Sequence, residues 1–597
     1  MRTSLGFTAI LIVFWTNTTL GQSRSFPHFD LETIPFSRSG SFYTITKTHG
    51  NEHGELSIKT ALRGAITYRW DGSPSWAHDF FGIQLFEDGT QVHYTTEVTP
   101  WELILVPESG SGEVKITFSG TTRLLFQNKG VELHLTCRRP PKGAWDNQEH
   151  ELGFHLRHAQ AMAQFKTYDG SQPLLTDDNH VVISPGSNLA LWLPEYEKAW
   201  EDDLPNYEES RRDLKQEVNG WMAKMLPVPS EYENSAKVAW YLMWDLTVPA
   251  QGNYSRPGIL MSKRTMNQIW AWDNCINSLP IASADPQLAW DQLLIFFDKQ
   301  TATGMIPDPI NDYQNQYAYT KPPLYGWAAL KMIEMNGEKA SLPYVKELYG
   351  PLVKYTEWWF KFRDTDNNGL CEYYDGVDGG WDNATVYDQG MPAEGPDLAA
   401  HLALQMEGLS KMAEMLGKKK EANAWKKRSQ DHIALMLARC KTSNNTLLTP
   451  LRGQPINKVP QKDCLINYIP LELGDRLPDD VRTAMLPAVS PGGKFMTDWG
   501  LATQNPTSPK YEPDGYWRGP IWSPSTLLIF DGLVKAGEKE LAREIAERFI
   551  RLCAQDNGFY ENYNAVTGEG LRDKGYSWTA AGFLVMANWL HNHQTKD

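Results

Sequence analysis

The spacing of apolar and polar residues changes character once along this chain. Between about Phe26 and Pro194 it alternates with a period of two, as in 113–118 (EVKITF) and 131–136 (VELHLT). That period puts one face of an extended strand into a core and the other into solvent. Gly- and Ser-rich punctuation at 109–112 (SGSG) and 128–130 (NKG) separates the runs. Short strands with such turns predict a β-sandwich over residues 22–194. From about Ser230 onward the apolar steps are three and four. Leu398, Leu402, Met406, Leu409, Met412 and Leu416 form one stripe, with Gly417 as a stop, and Trp425, Ser429, Ile433, Met436 and Cys440 form the next. Roughly a dozen such helical segments fill 230–597. A charged helical stretch at 195–229 links the two regions. Paired helices bury their stripes only by packing on further pairs. A closed ring of six inner and six outer helices does this, and so does a solenoid. No sequence repeat favours the solenoid.

Composition narrows the functional field. Among 597 residues, 41% are apolar and 22% charged, which fits a folded globular chain. The formal charge of -15, without a Lys/Arg-rich run, disfavours nucleic acid and anionic membranes as partners. The 23 Trp and 25 Tyr offer flat faces for sugar rings, although large helical cores also use them. Residues 1–21 read as a secretory signal: Arg2, the short apolar run 6–15 (GFTAILIVFW), then small residues before Gln22. That run is too short to span a bilayer. The expected location is periplasmic or secreted. The six cysteines (137, 275, 371, 440, 464 and 553) are scattered without a CxxC pair, and buried free thiols are expected over long-range disulfides.

Candidate chemistry lies in the loops. One block is WAWDN at 270–274, a carboxylate beside two indoles at a helix start. There Asp273 either caps the helix or accepts sugar hydroxyls. A long loop follows, with GMIPD at 304–308 and KPPLYG at 321–326. Next comes DGGWDN at 378–383, where two glycines allow close backbone approach and Trp381 walls Asp382. A carboxyl against an aromatic wall is expected to hold its proton, as a general acid must. Without that wall the same aspartate reads as an Asx-turn. YWRGPIW spans 516–522, and FYENYN at 559–564 precedes TGEG at 567–570 and YSWTAAG at 576–582. Glu561, among Tyr and Asn, is suited to hold and deprotonate a water, and Glu569 is its rival in a Gly-flanked turn.

Taken in order, the WxWD, GWDN, YWRGPxW and ENYNxxTGxG…SWTAA blocks resemble glycoside hydrolase family 63 and its mannosylglycerate/glucosylglycerate hydrolase-like members. The match spans roughly residues 230–595. The resemblance implies an (α/α)6 barrel, often behind a β-sandwich, and hydrolysis with inversion by an Asp acid and a Glu base. By motif position these are Asp382 and Glu561. Trp270, Trp272, Asp273, Tyr325, Trp381, Trp517, Arg518 and Trp578 would bind the non-reducing sugar. The chain lacks the long insertions of the large processing glucosidases, so an exo-acting enzyme on small α-glycosides is expected, with α-glucosides foremost. No cofactor is required by such chemistry. A sugar isomerase or epimerase on the same ring would rely on histidines, which the blocks lack. A polysaccharide lyase would want a Tyr/His or Arg constellation, for which only Arg518 stands. A non-catalytic sugar binder has no need of both carboxylates.

A separate run, DTDNNG at 364–369, has the acidic spacing of a calcium loop, with Asp364, Asp366 and Asn368 as ligands and Asp375 at the twelfth position. A turn between helices accounts for the same residues. A cation there would stiffen the segment before Asp382 without taking part in chemistry. The Asn-x-Thr sequons at Asn383 and Asn444 are attributed to chance, since a glycan on Asn383 would block the site.

Overall fold

A computed structural model describes residues 26–47, 56–62, 79–137, 144–147, 151–156, 161–167, 174–177, 180–193 and 206–593. The secretory segment read from residues 1–21 lies outside the described residues, as does the stretch 194–205. The molecule is mainly helical, with an antiparallel β-rich region at its N-terminal side.

The β-rich region holds two antiparallel sheets. One runs from Phe36–Ser37 through Tyr43–Lys47, Leu56–Thr60, Asp79–Glu87, Glu132–Cys137 and His180–Ile183 to Leu174–Asp177. The other runs from Ala144–Asn147 to Tyr94–Thr99, with Arg123–Lys129 and Glu113–Ser119 adjacent near its centre. Rings from the two sheets meet in a shared core, Phe36 with Phe118 at 5.5 Å and Phe81 with Phe165 at 5.3 Å. The alternation seen in sequence is realised in Glu132–Cys137, where every second side chain is buried.

Helix α1 (Tyr207–Met222) begins where Asn206 accepts the backbone N–H of Glu209 at 3.1 Å. It packs on the strand Glu113–Ser119 and on α2 (Glu233–Asp245). Trp221 and Trp240 stack at 4.6 Å, and each indole N–H donates to the other residue's carbonyl. The N-terminal segment is also tied to the helices. Tyr241 Oη donates to Ser37 O at 3.1 Å, and Lys263 Nζ donates to Ser37 Oγ at 3.0 Å.

The remaining helices are α3 (Ala271–Ile281), α4 (Pro286–Phe297), α5 (Tyr325–Asn336), α6 (Glu338–Phe362), α7 (Pro396–Met415), α8 (Lys419–Cys440), α9 (Asp479–Val489), α10 (Ser523–Lys535), α11 (Lys539–Cys553) and α12 (Ser577–Asn592). A 3₁₀ segment, Leu465–Arg476, stands between α8 and α9. Packing partners run in a cycle: α3 on α5, α5 on α7, α7 on 465–476, that segment on α10, α10 on α12, and α12 back on α3. The others lie outside this cycle, α4 on α3, α8 on α7, α11 on α10 and α12, and α2 on α12. Burial follows position. Every residue of α3 is buried, whereas α11 buries only Ala542, Ile545, Ala546, Phe549, Ile550, Leu552 and Cys553. A helix enclosed on all sides can be apolar all round, and a peripheral one needs a single stripe.

Three of the sequence blocks lead into the first turns of α3, α10 and α12, and the KPPLYG block leads into α5. All six cysteines are buried, and Cys275, Cys371, Cys440, Cys464 and Cys553 carry free thiols. Among the described residues, no helix is long and apolar enough to cross a membrane.

Candidate active site

Tryptophans from separate blocks meet at the starts of α3, α10 and α12. Trp517 stacks flat on Trp522 at 3.9 Å and touches Trp381 at 4.6 Å and Trp272 at 6.1 Å. Trp578 stands edge-on to Trp272 at 5.7 Å and to Trp522 at 5.5 Å. Gly380 makes this wall possible. Its φ is +68°, and a Cβ there would lie 2.8 Å from the Trp272 ring. Trp270 is half-buried at the N-cap of α3.

Asp382 follows Trp381 and is partly open, its side chain 23% exposed. Lys321 Nζ lies 3.7 Å from Asp382 Oδ1 and donates to Val377 O at 3.0 Å. The lysine is buried at the centre of an acidic cluster. Burial alone would lower its pKa, but Asp382, Asp308, Asp273 and Asp378 together raise it. Asp378 is fully engaged, by Arg363 at 2.6 Å and by the backbone N–H groups of Thr320 and Tyr374. Asp308 accepts the Ala271 N–H at 2.7 Å, so the first turn of α3 is satisfied from a neighbouring loop rather than by its own Asp273. Burial pushes the Asp308 carboxyl up to about 7 against the pull of Lys321. Asp273 is driven well above its ordinary range by burial and then by the charge of Asp308. Each keeps one buried carboxyl oxygen without a hydrogen-bond partner. A protonated carboxyl both donates and accepts, which suits sugar hydroxyls.

Glu561 lies beside Tyr516 and Trp578 and is 3% exposed. Its backbone N–H donates to Asp573 O at 2.9 Å, and Tyr516 Oη donates to its Oε1 at 3.3 Å. Trp578 Nε1 donates to Glu561 O at 3.2 Å. Burial and the charge of Asp573 push the Glu561 carboxyl up to about 8, and Tyr516 and Arg572 oppose this. Asp573 is itself buried, 3.7 Å from the buried guanidinium of Arg264. Glu569, the rival base, is exposed.

Two further predicted residues sit behind this surface. Tyr325 is fully buried against Phe297 at 4.8 Å. Arg518 staples two blocks, donating to Asn383 O at 2.9 Å and to Asp388 at 2.5 Å. The Asn383 amide is likewise committed, to Gly515 O and the Trp517 N–H, both at 3.0 Å. Sequence reading did not single out Lys321, Asp308, Tyr516 or Asp573 as site residues. The available signal was charge in a Pro-rich setting, at Asp308-Pro309 and Lys321-Pro322.

In the DTDNNG run, Asp364 Oδ2 accepts the Gly369 N–H at 3.0 Å and Asp366 Oδ1 accepts the Asn368 N–H at 3.3 Å, both as turn bonds. Asp375 caps Val377 N–H at 2.8 Å. The carboxylates that converge are Asp366, Glu372 and Glu394, with oxygens within 4.8 Å of one another. Arg439 lies 2.6 Å from Glu394, and Arg452 lies 3.7 Å from Glu372.

The site lies inside a stretch with known relatives. Residues 266–579, more than half of the chain, match the model of the mannosylglycerate hydrolase MGH1-like glycoside hydrolase domain. The chain belongs to the mannosylglycerate hydrolase-like glycoside hydrolases of family 63. It is a glycoside hydrolase. Mannosylglycerate hydrolase MGH1 of Selaginella moellendorffii is 23% identical over 57% of this chain and 83% of its own length. The mannosylglycerate hydrolase of Thermus thermophilus is 22% identical over 56% of this chain and 95% of its own. Among solved structures, a family 63 mannosylglycerate hydrolase of Thermus thermophilus in complex with Tris superposes at a TM-score of 0.51 and 19% identity, covering 59% of this chain and 99% of that one. A bacterial glucoamylase complexed with acarbose superposes at 0.62 and 11% identity over 96% of this chain and 95% of its own, so its likeness in fold takes in the β-rich region too.

Proposed function

We propose that this glycoside hydrolase is an exo-acting, inverting α-glycosidase of small glycosides or oligosaccharides, with α-glucosides the foremost candidates. Its helical cycle is read as an (α/α)6 barrel. Asp382 protonates the glycosidic oxygen, and Glu561 draws a proton from a water that attacks the anomeric carbon from the opposite face. What supports the reading is a run of contacts that links the two carboxylates' blocks through the tryptophan wall. Asp382 adjoins Trp381, Trp381 touches Trp517, and Tyr516 bonds Glu561.

The wall would stack on the apolar face of the non-reducing sugar. Asp273 and Asp308, each with a free buried oxygen, would bind its hydroxyls. Lys321 keeps the crowded carboxyls from repelling one another and holds Asp382 in place. For Glu561 to act as base it must be ionised. Its carboxyl is pushed up to about 8, so kcat/KM is expected to rise with pH toward and through that value.

The test is sugar release from a panel of α-linked and β-linked glucosides and mannosides, including glycerate glycosides and disaccharides. Release from an α-linked member supports the reading. Release only from β-linked members, or from none, removes it.

A further inference from the structure

Five aromatic side chains are exposed in the loops and helix end that adjoin the acidic cluster: Tyr313, Tyr317, Tyr319, Phe362 and Tyr374. Their placement follows from hydrogen bonds. The Asp308 N–H donates to Gln316 O at 2.7 Å, and Thr320 N–H donates to Asp378 at 2.8 Å. Tyr317 and Tyr319 therefore lie on the short span between two members of the acidic cluster. Tyr374 is pinned to the same Asp378 through its N–H at 2.9 Å, and Asp378 precedes Asp382 by one tight turn.

Two of these rings are also held rigid. Tyr317 is 38% exposed, yet its hydroxyl donates to Lys299 O at 2.6 Å, just beyond α4. Tyr374 is 42% exposed, and its hydroxyl donates to Phe362 O at 3.2 Å, at the end of α6. The Arg363 guanidinium lies 4.1 Å from the Tyr374 ring centre and is anchored in turn by Asp378. An exposed tyrosine ordinarily leaves its hydroxyl in water and its rotamers free. Here the ordering cost is met within the fold, with Arg363 covering one face of Tyr374 while the rings remain exposed. A pre-ordered aromatic face loses little entropy when a ligand stacks on it.

We propose that Tyr317, Tyr319 and Tyr374 form an aromatic shelf that binds additional sugar rings of the leaving group. The proposal rests on the reading of Asp382 as the general acid. The acid protonates the departing oxygen, so the leaving group exits on the side of Asp382, and the segment that carries Tyr317 and Tyr319 runs into Lys321, whose Nζ lies 3.7 Å from Asp382. Pyranose rings suit it because they present apolar C–H faces to the rings and hydroxyls to the amides of Gln314 and Gln316 in the same loop.

The test is a substrate ladder with one α-linked non-reducing sugar and leaving groups of one to four sugar units. For the full-length enzyme, kcat/KM should rise about tenfold from the shortest to the longest, through a falling KM. Tyr317→Ala/Tyr374→Ala should flatten the ladder, and Tyr319→Ala, which breaks no hydrogen bond, should flatten it in part. Tyr374→Phe should retain the slope. A ladder that is flat in the unaltered enzyme, or alanine variants that slow every rung by one common factor, would overturn the shelf. No hydrolysis of any rung would overturn the underlying reading of Asp382 and the shelf with it.

Discussion

Asp382 and Glu561 both adjoin one tryptophan cluster, yet their surroundings are unlike. Asp382 is partly open and stands 3.7 Å from a buried ammonium that three other carboxyls share. Glu561 is buried, with the like charge of Asp573 beside it and a tyrosine hydroxyl donating to its carboxylate. A cluster around Lys321 distributes charge among many groups. The pocket around Glu561 concentrates the cost of ionisation on one. The motif blocks single out the two carboxylates, and on the Glu561 side burial and the charge of Asp573 raise the pH at which the carboxyl ionises.

The comparison is broken most severely by removing either carboxylate's chemistry. Asp382→Asn and Glu561→Gln should each lower kcat by at least about a thousandfold while leaving thermal unfolding unchanged. Normal turnover by either variant would refute its role. Next in size is Lys321→Met. It leaves buried carboxylates without their cation and should cost about 3 kcal/mol of folding stability in urea unfolding, with slower turnover. An unchanged unfolding midpoint would mean the cluster is not held by charge.

A finer probe acts on the Glu561 side alone. Asp573→Asn removes the like charge that helps raise Glu561. Because the base must be ionised, the acidic limb of the kcat/KM profile should then move to lower pH. A limb that stays in place or moves upward would show that Asp573 does not act on Glu561. The smallest effect is expected at Glu569→Gln, within about twofold of the unaltered enzyme, since this side chain is exposed outside the tryptophan wall. A large loss there would reassign the base.

Local patterns in the sequence were sufficient where one element decides its own state. The stripe from Leu398 to Leu416 became α7, and the alternation at 131–136 became a strand with one buried face. The cyclic arrangement was harder to read. One member, Leu465–Arg476, carries Pro470 and a non-helical Gly474, so it folds as a kinked 3₁₀ segment without an α-helical stripe. Within the linker region, a helix over Tyr207–Met222 packs on both neighbours.

The site shows the same division. Asp382 and Glu561 could be singled out because each sits in a dense aromatic block. Lys321 and Asp308 acquire their meaning only when the loop between α4 and α5 folds against α3 and the 378–383 turn. Asp273 illustrates the limit. Its position at a helix start fits a cap, but the cap comes from Asp308, 35 residues later in the chain. That leaves Asp273 with a buried oxygen that has no hydrogen-bond partner.

Proton NMR of the first-formed sugar from an α-linked substrate tests the central claim most directly. Water delivered by Glu561 to the face opposite Asp382 must give the β-anomer first, with the α-anomer growing in by mutarotation. An α-anomer at the earliest time points would mean retention, and the roles assigned to Asp382 and Glu561 would be wrong.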